Sequence, residues 1–145
     1  MFVLANIPKK QRPIIKAAAE FYTKELLSPQ MRRVCAVAIS MSNTLSIDGY
    51  TDVIECNDAN KPREFAIALR NFKQLKRVLI TLAHEMVHVK QYAYNEMNET
   101  MTRWRGRKID VSSIAYTDHP GEIEAFWLEG ALYKRFVGQF METQK

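Results

Sequence analysis

Between Phe72 and Ala93 the apolar residues Phe72, Leu75, Val78, Leu79, Leu82, Met86, Val89 and Ala93 recur at steps of three and four. That spacing lines one face of an α-helix. Asn71 reads as its N-cap, with Gln74 three residues on as the other half of a capping box, and the pattern predicts a helix running to about Asn95 or Met97. At ~1.5 Å of rise per residue it would span a small domain, so the rest of the chain must pack around it. Within it, "TLAHEMVHVKQ" (Thr81 to Gln91) leaves His84, His88 and Gln91 on an edge beside the apolar stripe. A cleft would lie along that edge.

The remaining segments are short. Gln11 to Leu27 has helical spacing and stops at Ser28-Pro29, because a residue before proline avoids the helical region. Val34 to Met41, Tyr50 to Cys56 and Glu64 to Arg70 read as strands. In the last, Phe65, Ile67 and Leu69 alternate with Ala66 and Ala68, which predicts one face of large and one of small residues. A connector of polar, basic and aromatic residues follows the long helix, with one short strand expected near Trp104. A final helix is expected from Pro120 to about Met141, packing through Ile123, Phe126, Trp127, Gly130, Ala131, Tyr133, Val137 and Phe140. The order helix, three strands, helix, helix is that of an α+β domain, and 145 residues suffice for one, spanning 1–145.

Composition narrows the class. The chain is 47% apolar and 26% charged, as in globular proteins. No run approaches the ~20 apolar residues of a membrane span, and the start, "MFVLANIPKKQRP", lacks the charge order of a secretory signal. Cys35 and Cys56 form no CxxC pair, so neither a disulfide scaffold nor a thiolate metal site is expected; buried free thiols in a reducing, cytoplasmic compartment are. A net charge of +5 permits nucleic-acid contact without requiring it.

His84 and His88, four apart on one helix face, can aim imidazole nitrogens at one point, and zinc accepts histidine nitrogens at ~2.0–2.1 Å. Glu85, displaced around the helix, reaches water held there rather than the ion, which is the general-base position of an HExxH hydrolase. By chance this pattern arises in roughly one chain of such length in several hundred, and two of the three histidines of the chain are spent on it. A catalytic zinc, one per chain, needs a third protein ligand. Gln91 and Tyr94 exclude the HExxHxxGxxH class. Asp118, His119, Glu122, Glu124 and Glu129, gathered in "YTDHPGEIEAFWLEG", are the candidates.

"HEMVHVKQ" followed about thirty residues later by "HPGEIEA" resembles the zincin metallopeptidases with a glutamate ligand, the gluzincin type, and is similar to compact SprT-like and phage-encoded metallopeptidase domains. The similarity covers about Phe65 to Trp127. It implies a zincin-like fold, with the third ligand on the C-terminal helix. A glutamate just before a small residue is the pattern of that ligand, which points to Glu124 before Ala125. His119, matching the third histidine of many SprT-like proteins, and Glu122 are the alternatives. The resemblance also implies that "EFAIALR" lies at a sheet edge and pairs with an extended peptide, and that a phage-encoded member would act in the host cytoplasm.

The function this implies is a zinc metallopeptidase acting on a peptide or protein, with Glu85 activating water and Tyr116 and Arg103 as candidate stabilisers of the transition state. "RWRGRK" offers Arg103, Trp104, Arg105, Arg107 and Lys108 for nucleic-acid contact. The competing readings are a non-catalytic binding or regulatory protein on the same zinc fold, acting on nucleic-acid-bound proteins, and a zinc amidase of non-protein substrates. Retention of an acid at Glu85 favours an enzyme.

Overall fold

Alternation of large and small side chains decides which way the sheet faces. In the computed structural model, which describes residues 1–143, Val37, Ile39 and Met41 of one strand and Phe65, Ile67 and Leu69 of its neighbour are all buried on the same side. Their partners Ala36, Ala38, Ala66 and Ala68 form the outer face. Helices cover only the large-residue side, giving two layers.

The elements run β1 (Phe2–Ala5), α1 (Arg12–Leu26), α2 (Pro29–Val34), β2 (Ala36–Ser42), β3 (Gly49–Cys56), β4 (Pro62–Arg70), α3 (Leu75–Ala93), β5 (Arg103–Trp104), β6 (Arg107–Lys108) and α4 (Pro120–Thr143), with a single 3-10 turn at Tyr116–Asp118. The main sheet has the order β1-β2-β4-β3, with β1, β2 and β4 parallel and β3 antiparallel to β4. The α+β class and the order of the main elements agree with the expectation from sequence.

Four differences have physical causes. The sheet has a fourth strand, β1, from a segment too short to show a period of its own; it is held by its parallel register with β2. Ser28 does end α1, and its hydroxyl then accepts a bond from the Met31 amide and caps α2. The long helix starts later than expected, with Gln74 at the N-cap and no side-chain cap bond, so the capping box does not form. Asn71 instead bonds through its side chain to Asn43. Finally, β4 is not an edge strand: it lies between β2 and β3, and the edge beside α3 is β3.

The core centres on α3, whose Val78, Leu82, Met86 and Val89 are fully buried between the sheet, α1 and α4. The packing side of α4 is shifted from the expected one. Ala125, Leu132 and Phe136 are buried, whereas Ile123, Phe126 and Trp127 are exposed, Trp127 by 80%. Of the thiols, Cys35 is buried and Cys56 half-buried, both free. No helix among the described residues is long and apolar enough to cross a membrane.

Gly49 lets β3 lie close to α3. A Cβ there would stand 2.9 Å from both the Ala68 carbonyl oxygen and Thr81 Cγ2, closer than real Cβ contacts come. Gly106 serves a different need. With Arg105 it takes positive φ, 84° and 49° respectively, as a two-residue turn between β5 and β6 requires.

Tyr22 joins α1 to α3: its ring is fully buried and its hydroxyl donates to the Leu79 carbonyl at 3.0 Å. Tyr22→Phe is expected to cost about 0.5–1.5 kcal/mol, the worth of that bond, and Tyr22→Ala about 3–5 kcal/mol through the cavity; urea unfolding of the two variants separates the contributions.

Candidate metal centre

His84 and His88 stand one turn apart on α3 and face the first turn of α4, which begins at Pro120. Glu122 comes in from that turn, 1% exposed. His84 Nε2 lies 3.0 Å from Glu122 Oε2, and His88 Nε2 lies 2.6 Å from Glu122 Oε1. One ligand atom from each residue falls within 4.8 Å of the others, and all three residues are buried. Two imidazole nitrogens and a carboxylate oxygen are a donor set that could hold a metal ion.

A hydrogen bond behind His88 orients its ring. Gln91, fully buried, donates its amide to the Gly121 carbonyl at 2.9 Å and to Glu124 Oε1 at 3.1 Å. Its Oε1 is therefore left as an acceptor, 2.8 Å from His88 Nδ1. Nδ1 of His88 therefore carries a proton toward Gln91, and Nε2 points into the centre, where it donates to Glu122 Oε1 and would give up that proton to a metal. His84 turns Nε2 inward likewise, with Nδ1 3.9 Å from Glu129 Oε1 and the ring edge-on to Phe126 at 4.7 Å. Gly121 makes the approach possible, since a Cβ there would fall 2.7 Å from Met97 Sδ and 3.2 Å from Gln91 Oε1.

Charge in the cluster is mutually supported. Burial by itself would raise the Glu122 carboxyl, but hydrogen bonding to His84 and His88 outweighs it and holds the group well below the usual carboxylate range. Burial opposes protonation of His84, yet contacts with Glu122 and Glu129 raise its pKa to about 10. His88 is raised in the same way, its burial outweighed chiefly by Glu122.

Glu85 lies next to this cluster, 5% exposed. Thr51 Oγ1, from edge strand β3, donates to its Oε1 at 2.8 Å and approaches its backbone carbonyl at 3.2 Å. Burial pushes the Glu85 carboxyl up, against the opposing pull of His88, His84 and Thr51. His84, Glu85 and Glu122 all open onto a cleft of about 420 Å3. Ile47 and Phe126 form apolar walls, and Tyr116 stands at the side with its hydroxyl donating to Glu122 Oε1 at 2.8 Å.

Glu124, the carboxylate expected from sequence to complete the centre, is placed elsewhere. It accepts from Lys90 at 2.7 Å, from Gln91 and from Arg105 at 2.8 Å. Two residues along a helix amount to ~200° of rotation, so Glu122 and Glu124 cannot face the same point. His119, the alternative, is 2% exposed and has both nitrogens engaged: Nε2 donates to the Met101 carbonyl at 2.8 Å and Nδ1 accepts from the Gly121 amide at 3.0 Å. It ties the connector to the start of α4 and has no nitrogen free for a metal. Glu122 is the carboxylate that meets the histidines. The pattern of a glutamate before a small residue had pointed to Glu124, whereas the buried series on α4, Glu122, Ala125, Leu132 and Phe136, sets Glu122 on the side packed inward.

Asp118 sits in the 3-10 turn and Glu129 beside His84, neither within the ligand group. Arg103 stands on the β5–β6 hairpin and does not line the cleft. On the same hairpin, Arg107 and Lys108 are exposed, Trp104 is half-buried edge-on to His119, and the Arg105 cation is engaged by Glu96 and Glu124. No family model matches the sequence, and no curated protein or solved structure is significantly similar to it.

Removing the acceptor behind His88 frees the imidazole to rotate. Gln91→Ala is expected to weaken metal affinity about 10–100-fold, read by competition with a chromogenic chelator. His119→Ala is expected to leave that affinity within a few-fold while costing about 1–3 kcal/mol of stability, because it orphans a buried carbonyl and amide.

Proposed function

We propose that the protein is a zinc-dependent metallopeptidase of zincin-like design, with His84, His88 and Glu122 as zinc ligands and Glu85 as general base. The observation that carries this reading is the convergence of a buried His-His-Glu donor set beside a second buried carboxylate, on a cleft of about 420 Å3. The soft-to-borderline nitrogens with one carboxylate suit zinc better than magnesium or calcium, which take all-oxygen sites.

When bound, zinc supplies the Lewis acidity that polarises the scissile carbonyl and acidifies water at the site. The chain's own residues do the rest. Glu85 Oε takes a proton from the attacking water as its oxygen bonds to the carbonyl carbon, and delivers that proton to the amine nitrogen as the C–N bond breaks. The Tyr116 hydroxyl, at the cleft wall, exchanges its bond to Glu122 for one to the oxyanion as that charge develops. The free edge of β3 offers unpaired backbone groups to an extended substrate, which makes recognition tolerant of substrate sequence.

The test begins with metal content and hydrolysis of a fluorescently quenched, unstructured casein. About one zinc per chain is expected, lost in Glu122→Ala and kept in Glu124→Ala. Glu85→Gln should retain zinc and lose activity by about 10²–10⁴-fold. Absence of zinc, or full activity in Glu85→Gln, would overturn the proposal; zinc with no hydrolysis of any protein would favour a binding-only role on the same site.

A pH profile probes Glu85 separately. Thr51 donates to the carboxylate and so favours its charged form. Thr51→Val removes that donor, raises the pKa further and shifts the acid limb of kcat/KM toward higher pH, so activity falls most on the acidic side.

A further inference from the structure

The positive charge of this protein is concentrated at one end of its sequence. Residues 1–35 hold seven lysines and arginines against two glutamates, an excess equal to the net charge of the whole chain, +5. Residues 36–145 hold fourteen cations and fourteen acids. The fold then gathers much of the excess into one place. Lys16 and Lys24 of α1 and Arg32 and Arg33 of α2 line a cleft of about 560 Å3 that also takes in the half-buried ring of Phe2 from β1. Glu20 is the single acid in its lining. None of the four cations forms an ion pair among the described residues, in contrast to Arg77, Lys90, Arg105 and Arg135.

We propose that this cleft binds the phosphate backbone of single-stranded nucleic acid. Lys16 and Lys24 are eight residues apart on α1, about 12 Å along the axis at ~1.5 Å per residue. That separation spans about three phosphates of a strand at ~3.4 Å axial spacing. Arg32 and Arg33 add cations from α2, so the charge follows a line and is not a point. An aromatic ring in the same wall gives an unpaired base a surface to stack on, the combination single strands use. A membrane surface is flat and meets protruding side chains, whereas these cations line a concavity. An acidic peptide would use the charge and leave the ring without a partner. The cleft shares no lining residue with the candidate metal centre, so binding there leaves the centre free.

The test is fluorescence anisotropy with a 5′-labelled 20-nucleotide single strand between 50 and 300 mM NaCl, using the full chain. Log affinity is expected to fall against log salt with a slope of about 2–3, from three or four phosphate contacts at ~0.7 each. Lys24→Gln/Arg33→Gln should weaken binding at least tenfold and reduce the slope by about 1.4. Phe2→Leu, which keeps an apolar side chain but no ring, should weaken it several-fold. Arg107→Gln/Lys108→Gln should bind like the parent protein. Thermal melts and metal content serve as fold controls, and both are expected to be unchanged in the exposed-cation variants. The proposal is overturned by no binding at 50 mM NaCl, by loss of binding only in the hairpin variant, by tighter binding of the matching duplex, or by equal affinity for poly-glutamate or for phosphatidylserine vesicles.

Discussion

A buried carboxylate shared by two imidazoles holds the candidate site together. Glu122 is almost wholly removed from water and would be costly to keep charged there alone. His84 and His88 meet one of its oxygens each, and Tyr116 donates to it as well. The arrangement demands that α3 and α4 lie close at this point. Gly121 at the start of α4, where a side chain would meet Gln91 of α3, and the buried Ala125 permit it. A metal ion would take the place of the proton-mediated contacts, with the same three side chains converging.

Around that centre the protein has built a chain of fixed orientations. Arg105 and Lys90 hold Glu124, Glu124 and the Gly121 carbonyl hold the Gln91 amide, and Gln91 holds His88. The β5–β6 hairpin is thus connected to the position of His88. Thr51 does the corresponding work for Glu85 from the opposite side, reaching it because Gly49 brings β3 against α3. Glu124, which looks like a ligand in the linear sequence, instead helps to orient the His88 imidazole, through a glutamine.

The two clefts divide the chain's chemistry. One is lined by carboxylates, the His84 imidazole and apolar walls, between α3, α4 and β3. The other is lined by four cations without ion-pair partners among the described residues and one acid, between β1, α1 and α2. Because the rest of the chain is balanced in charge, long-range attraction of a polyanion would be directed at the second and not at the first.

Local pattern sufficed where the signal is periodic and short in range. The helical stripe of α3, the alternation in β4, the α1 helix and the proximity of His84, Glu85 and His88 all follow from 3.6- and 2-residue periods, which act within a few residues of the chain. What lies between elements did not follow. The choice of Glu122 over Glu124 depends on the rotational phase of α4, and that phase is decided by how its small residues let it approach α3, not by where its largest apolar residues fall. Phe126 and Trp127 stay exposed for that reason. The sheet order, which puts β3 and not β4 at the edge, depends on β4 pairing in parallel with β2 on one side and antiparallel with β3 on the other. Sequence by itself determined the α+β class and the two histidines with their neighbouring acid, because one helix carries all three; only tertiary structure decided the third group and the edge strand, because each depends on contacts between segments dozens of residues apart.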